Sequence, residues 1–127
     1  MVSVEISKEC PFCSRAGALL ENGIAYARYD KYPVTPGHLL LIPVRHVADF
    51  FQTTREKRQA LMELLFEAKA LLDREYRPSG YNFGVNIGEC AGQTIPHAHI
   101  HLIPRYVGDT KNPRGGVRGV IPERQSY

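Results

Sequence analysis

Apolar and polar positions alternate along this chain with two different periods, and each change of period marks an element. Between the turn-forming clusters Asn22-Gly23 and Asp30-Lys31-Tyr32-Pro33, the run Ile24 to Tyr29 is short, apolar and aromatic, which predicts a strand. Gly37 to Ile42 is almost continuously apolar and is stopped by Pro43, so its length and flanks favour a second strand over a helix. The Pro33-x-x-Pro36-Gly37 link between them suggests a hairpin. Thr53-Thr54-Arg55-Glu56 then resembles a capping box, with a hydroxyl for an orphan amide and a carboxylate three residues on. After it Leu61, Leu64, Leu65, Ala68, Leu71 and Leu72 recur at helical spacing, with Lys57, Arg58, Lys69 and Arg74 on much of the other side. This is one long helix, and it must stop before Pro78-Ser79-Gly80. The period then drops to two. Phe83, Val85 and Ile87 alternate with Asn82, Gly84 and Asn86, and after a Gly-rich turn Ala98, Ile100 and Leu102 alternate with His97, His99 and His101.

In that last segment the polar face is the unusual one. Side chains two apart on a strand share a face, so the three imidazoles are presented together while Ala98, Ile100 and Leu102 pack under the helix. A lone histidine is most often solvated or satisfied in a core; three at strict alternation, out of five in the chain, are not explained that way. A three-histidine metal site is the other alternative, but consecutive alternate positions seldom converge three ligands. Nucleophilic catalysis by imidazole takes the remaining weight. The preceding stretch, Asn86 to Pro96, carries glycines that let backbone approach an oxyanion, and Asn86, Gln93 and Thr94 offer side-chain donors.

Size and charge narrow the classes. At 127 residues and 43% apolar content the chain forms one domain with one core. The net charge of +3 is spread out, apart from a modestly basic tail at Lys111, Arg114, Arg118 and Arg124, so no nucleic-acid partner is expected and anionic small molecules fit. No apolar run approaches the roughly 18 residues of a membrane span, and Glu5 and Glu9 stand where a signal peptide would be apolar. The expected location is cytoplasmic. Of three cysteines, Cys10 and Cys13 form a Cys-x-x-Cys pair and Cys90 stands alone, which is a metal or redox pattern and not a disulfide framework. A thioredoxin-like pair would need a βαβ context that the few residues before Cys10 do not supply; two unbonded thiols are the other alternative.

Asn86 to Pro96 followed directly by His97-Ala98-His99-Ile100-His101-Leu102-Ile103 matches His-x-His-x-His-x-x with apolar intervening residues, and the chain resembles the histidine-triad family. Asp30 to Pro43 is similar to the family's other recurrent stretch, so the likeness covers nearly the whole chain. The resemblance implies an α+β fold of about five antiparallel strands with one long helix, dimerising into a larger continuous sheet. It divides the single domain into a Cys-x-x-Cys segment 1–20, a core 21–106 and an extended tail 107–127.

It also implies chemistry. His99 takes the position of the nucleophile, His101 that of a phosphate contact, and His38 that of its support from the neighbouring strand. Asp30 matches a ribose-hydroxyl ligand, Leu40 a base-pocket residue, and Asn86, Gln93 and Thr94 phosphate and leaving-group contacts. The implied activity is hydrolysis of a purine nucleotide at its α-phosphate through a nucleotidyl-histidine, on a dinucleoside polyphosphate or a phosphoramidate, with no catalytic cofactor. The motif ends in His101 where related transferases and phosphorylases have glutamine, which tilts the acceptor towards water. The alternatives are a transferase or phosphorylase with another acceptor, or a binding or sensing module without turnover. Cys10 and Cys13 supply two of the four ligands of a structural zinc, and His46 and His97 are the expected others, as in some members of the wider superfamily. The tail's Arg114 or Arg118 could meet outer phosphates, but a solvated surface tail is the simpler expectation.

Overall fold

The computed structural model describes residues 10–127, and the reading of Glu5 and Glu9 lies outside the described residues. Five antiparallel strands, β1 (Leu20–Glu21), β2 (Ala25–Tyr29), β3 (Leu39–Pro43), β4 (Gly80–Gly84) and β5 (Ile100–Arg105), form a single sheet in the order β1-β2-β3-β5-β4. One helix, α1 (Arg55–Tyr76), packs across it. This is the α+β architecture expected.

The helix buries Ala60, Leu61, Leu64, Leu65, Ala68, Leu71 and Leu72. These meet Ala25, Ala27, Leu39, Leu41, Ile100 and Leu102, the alternate residues of three strands, and burial of this apolar seam supplies most of the helix's stability. Its N-cap is Thr54, whose hydroxyl accepts from Lys57 N–H, one residue later than the capping box predicted. Thr53 is spent elsewhere: its hydroxyl donates to the Phe50 carbonyl at 2.6 Å in the short 3-10 turn Phe50–Gln52. Arg77, left-handed at φ 49°, ends the helix before Pro78.

The pleat fixes the other face. Arg28, Leu40, His101 and Gly84 are paired in register across four strands, so they form one row pointing away from the helix. Gly37, which turns the chain into β3, has φ +89°, and a Cβ there would come within 3.2 Å of Leu72, Tyr76 and Pro104. No described helix is long and apolar enough to cross a membrane.

Two strand boundaries differ from the sequence reading. β5 starts at Ile100, not at His97, because Pro96 has no N–H for a ladder and the His97 N–H closes a tight bend onto the Ile95 carbonyl at 2.8 Å. β4 ends at Gly84, and Val85 to Ile87 continue as loop. The tail is more ordered than the loop expected: Gly116–Val120 and Pro122–Arg124 are 3-10 turns, the first in contact with β4.

Candidate active site

His97 and His99 precede β5 and only His101 lies on it, and each of the three rings has different partners. His99 is 8% exposed, and its Nδ1–H donates to the His97 carbonyl at 2.8 Å. A neutral imidazole carries one N–H, so this bond leaves the lone pair on Nε2, the atom a nucleophile needs. Phe12, 5% exposed between the two cysteines, stands edge-on to His99 with ring centroids 5.0 Å apart. Sequence reasoning missed Phe12; the only signal was an apolar residue inside a ligand loop.

His101 belongs to a relay with His38 and Asp30. The Val34 N–H donates to His38 Nδ1 at 3.0 Å, which puts the His38 proton on Nε2. From there it points to His101 Nδ1 at 3.0 Å, with Asp30 Oδ2 at 3.4 Å. His101 must therefore carry its own proton on Nε2, where it is a donor to an anion. The same logic disfavours a cation among Asp30, His38 and His101, although their ligand atoms lie within 4.8 Å of one another. Binding through His38 Nε2 would force a proton onto Nδ1, against the Val34 N–H. Burial lowers the pKa of both rings, opposed by the Asp30 carboxylate; repulsion from His99 and His38 adds to the burial at His101, whose value falls to about 4. Both are neutral near pH 7.

These shifts carry a stability prediction. In the unfolded chain both histidines take up protons near pH 6.5, while His101 in the folded state resists until about pH 4. Between those values the unfolded state binds more protons, so stability is fully present above pH 6.5 and is lost as pH falls towards 4. Urea titrations at pH 7.5 and 5.0 should show a loss that is about 1–2 kcal/mol smaller in His101→Gln than in the wild type. Equal losses would show that His101 does not titrate in this way.

His97 faces the other way, into the cysteine pair. Its ring is fully buried, and its Nε2–H donates to the Pro43 carbonyl at 2.8 Å, freeing Nδ1. Nδ1 lies 3.4 Å from Cys10 Sγ and 3.7 Å from Cys13 Sγ, while His46 Nδ1 lies 3.2 Å from Cys13 Sγ. A tetrahedral zinc with ordinary Zn–S and Zn–N bonds needs ligand atoms roughly 3.3–3.8 Å apart. The donor set is soft, the four atoms converge within 4.8 Å, and the second nitrogen of His97 is anchored as metal-bound histidines usually are, so these residues fit the ion. The sequence could name these four residues but not that both histidines turn Nδ1 towards the cysteines.

A cavity of about 840 Å³ opens beside the relay, lined by Asp30, His38 and His101, by Asn86 and β4, and by the C-terminal tail. The other expected contacts are placed differently. Gln93 holds its own loop together: its amide N–H groups donate to the carbonyls of Ala48 and Ile95, and its oxygen accepts from Gly88 N–H. With Thr94 it lines a separate cleft of about 350 Å³. Leu40 is 4% exposed, packed with Phe12, Tyr26 and Ile42, and does not line the larger cavity. Arg114 and Arg118 lie over the Tyr127 ring and also stay out of it.

Comparison with known proteins agrees with this arrangement. The family model described as HIT domain matches residues 14–108. An uncharacterised HIT-like protein of Mycoplasma genitalium is 40% identical over 86 residues, 68% of this chain and 61% of that protein. The AP-4-A phosphorylase of Mycobacterium tuberculosis is 36% identical over 95 residues, 73% of this chain and 49% of that one. The chain thus spans about half to three fifths of the length of these two relatives. Among solved structures, a HIT family protein of Bacillus anthracis is 34% identical with a TM-score of 0.75, covering 82% of this chain and 78% of that one. A zinc-bound histidine triad family protein of Mycobacterium smegmatis is 28% identical with a TM-score of 0.73, covering 82% and 80%. By its domain match, its sheet and the placement of its histidines, this chain belongs to the HIT family.

Proposed function

We propose that this protein hydrolyses a purine nucleotide at the α-phosphate through a covalent nucleotidyl-histidine on His99. The observation that carries the reading is the 2.8 Å bond from His99 Nδ1 to the His97 carbonyl, which reserves the Nε2 lone pair. That pair forms the bond to phosphorus while the bond to the leaving group breaks and its electrons depart with that group. Water then attacks phosphorus, the P–Nε2 bond breaks, its pair returns to the imidazole, and the water's surplus proton goes to solvent. Charge on the phosphoryl oxygens is met by His101 Nε2–H and the Asn86 amide, and the Asp30 carboxylate takes the ribose hydroxyls. Imidazole supplies the nucleophile, so the step draws on no further cofactor. Gln93 acts by bracing the loop between Gly88 and Ile95 that precedes His97.

Cys10, Cys13, His46 and His97 would hold a structural zinc, tying the N-terminal knuckle to the carbonyl that orients His99. Thiolate ligands of this kind suit the reducing cytoplasm. Among the described residues β4 is an edge of the sheet, and Phe83 on it is 52% exposed, so pairing of two β4 edges would extend the sheet in a homodimer.

The intermediate can be trapped. Mixing enzyme with substrate labelled at the α-phosphorus and quenching within one turnover should leave an acid-labile, base-stable label on the peptide carrying His99. Product formation with no labelled protein at any time would mean direct attack by water, and the reading would be wrong.

A further inference from the structure

Arg28 is a buried cation that the mechanism above leaves unused. It lies on β2 and is 8% exposed, and among the described residues no carboxylate pairs with it. Taking a guanidinium out of water without a counter-charge is costly, and an apolar side chain of similar length would fill the same space without that cost. What Arg28 touches accounts for the charge. Its Nη1 donates to the Pro11 carbonyl at 3.4 Å, and its guanidinium carbon stands 5.8 Å from the centre of the Phe12 ring. Both contacts fall between Cys10 and Cys13. Tyr26, two residues earlier and so on the same face of β2, brings its hydroxyl to 2.7 Å from the Phe12 carbonyl. Two side chains of β2 therefore hold Phe12, ring and backbone, by contacts separate from the four residues that fit zinc.

Phe12 in turn reaches the nucleophile. Its ring is 5% exposed and meets His99 at 5.0 Å between centroids and 66° between planes, and His97 at 6.0 Å and 84°. The bond from His99 Nδ1 to the His97 carbonyl fixes one atom of the imidazole. A histidine ring has a broad χ2 preference, so one tether does not set its plane. Rotation about χ2 would carry Nδ1 off the carbonyl and swing Nε2 with it. The edge of Phe12 and the His101 ring, 5.2 Å away between centroids, oppose that rotation. The carbonyl selects the tautomer and Phe12 sets the plane.

We propose that Arg28 is a positioning residue for catalysis: by holding Pro11 and Phe12 from β2, it fixes the plane of the His99 ring and the line along which Nε2 meets phosphorus. This rests on the reading of His99 as the nucleophile. Arg28 acts through Phe12 and itself meets neither the substrate nor the metal.

The test measures kcat on adenosine 5′-phosphoramidate, affinity for adenosine monophosphate and bound zinc in Arg28→Met, Arg28→Lys, Phe12→Leu and the variant carrying both Arg28→Met and Phe12→Leu. Arg28→Met should lower kcat roughly 10- to 100-fold, with affinity within about twofold of the wild type and zinc content unchanged. Arg28→Lys, which keeps a cation for the ring and the carbonyl, should recover kcat at least about fivefold. Because Arg28 works through Phe12, adding Arg28→Met to Phe12→Leu should cost less than about twofold more. The full loss in that background, a loss of affinity at unchanged kcat, or a loss of zinc in step with activity would each overturn the assignment. Nitrogen-15 NMR of the imidazoles at pH 7.5 reads the same device without turnover: His99 should be a single Nδ1–H tautomer in the wild type and a mixture in Arg28→Met. If the wild type turns over nothing while the tautomers mix in this way, the hydrolase reading falls and the positioning stands. If the wild type cleaves the phosphoramidate and Arg28→Met moves neither kcat nor the tautomer, only the positioning falls.

Discussion

Replacing His99 with alanine is expected to lower kcat by at least about 10³-fold while leaving the affinity for adenosine monophosphate within roughly threefold. The asymmetry follows from what the side chain touches. His99 is 8% exposed and engages the His97 carbonyl and the rings of Phe12 and His101, so it has its Nε2 for phosphorus and little surface for a ground-state ligand. The groups proposed to hold the nucleotide, Asp30, His101 and Asn86, line the cavity and survive the change. Removing the nucleophile therefore removes an interaction that exists only on the way to the covalent intermediate. Steady-state kinetics paired with calorimetric titration of adenosine monophosphate decides it. A residual rate above a few per cent would move the nucleophile to water or to another side chain. A collapse of affinity together with rate would mean that His99 is a binding residue, and the sensing module would become the better account.

The histidine cluster was legible in the sequence because it needs only local order: a period of two, three histidines in phase with it, and a Gly-rich loop directly before them; the choice of His99 among the three rests on the family resemblance. The helix was legible for the same reason, since Leu61 to Leu72 state their own period. What was not legible is what tertiary closure decides. The three histidines read alike on the chain, yet His97 is turned into the cysteine pair, His99 is tautomerised by the His97 carbonyl, and His101 is tautomerised through His38 by the Val34 amide, 67 residues away in sequence. A backbone N–H or carbonyl has no signature in a sequence, so neither the Val34 nor the Pro43 contact could be read. Gln93 looked like a phosphate donor because it is an amide in a glycine loop, but three backbone groups nearer at hand claim it. The tail read as extended because its glycines and prolines break regular structure; those same glycines let it fold tightly enough to become a wall.

Substituting Cys13 by serine should reduce bound zinc from about one equivalent to under about 0.2 and lower the melting temperature by roughly 10 °C or more. The other ties between the knuckle and the sheet are few: Phe12 is inserted against Tyr26, Leu40 and Ile42 with Arg28 over its ring, the Tyr26 hydroxyl lies 2.7 Å from the Phe12 carbonyl and 3.0 Å from that of Ser14, and Arg28 donates to the Pro11 carbonyl. With no ion held, Cys10, His46 and His97 are left as a polar cluster beside an apolar one, and the fully buried His97 has only the Pro43 carbonyl and the Cys10 sulfur as side-chain partners. Because the His97 carbonyl also sets the His99 tautomer, the same variant should lose turnover at temperatures where most of the protein is still folded. A chelator tells a structural ion from a catalytic one: with the cluster partly buried, zinc should leave the wild type no faster than the protein unfolds, and activity should fall in step with zinc loss. Rapid loss of activity on adding the chelator, with the fold unchanged, would place the metal at the chemistry instead. Protein purified without added zinc that carries well under one equivalent, and melts no lower for it, would show that these four residues hold no structural ion.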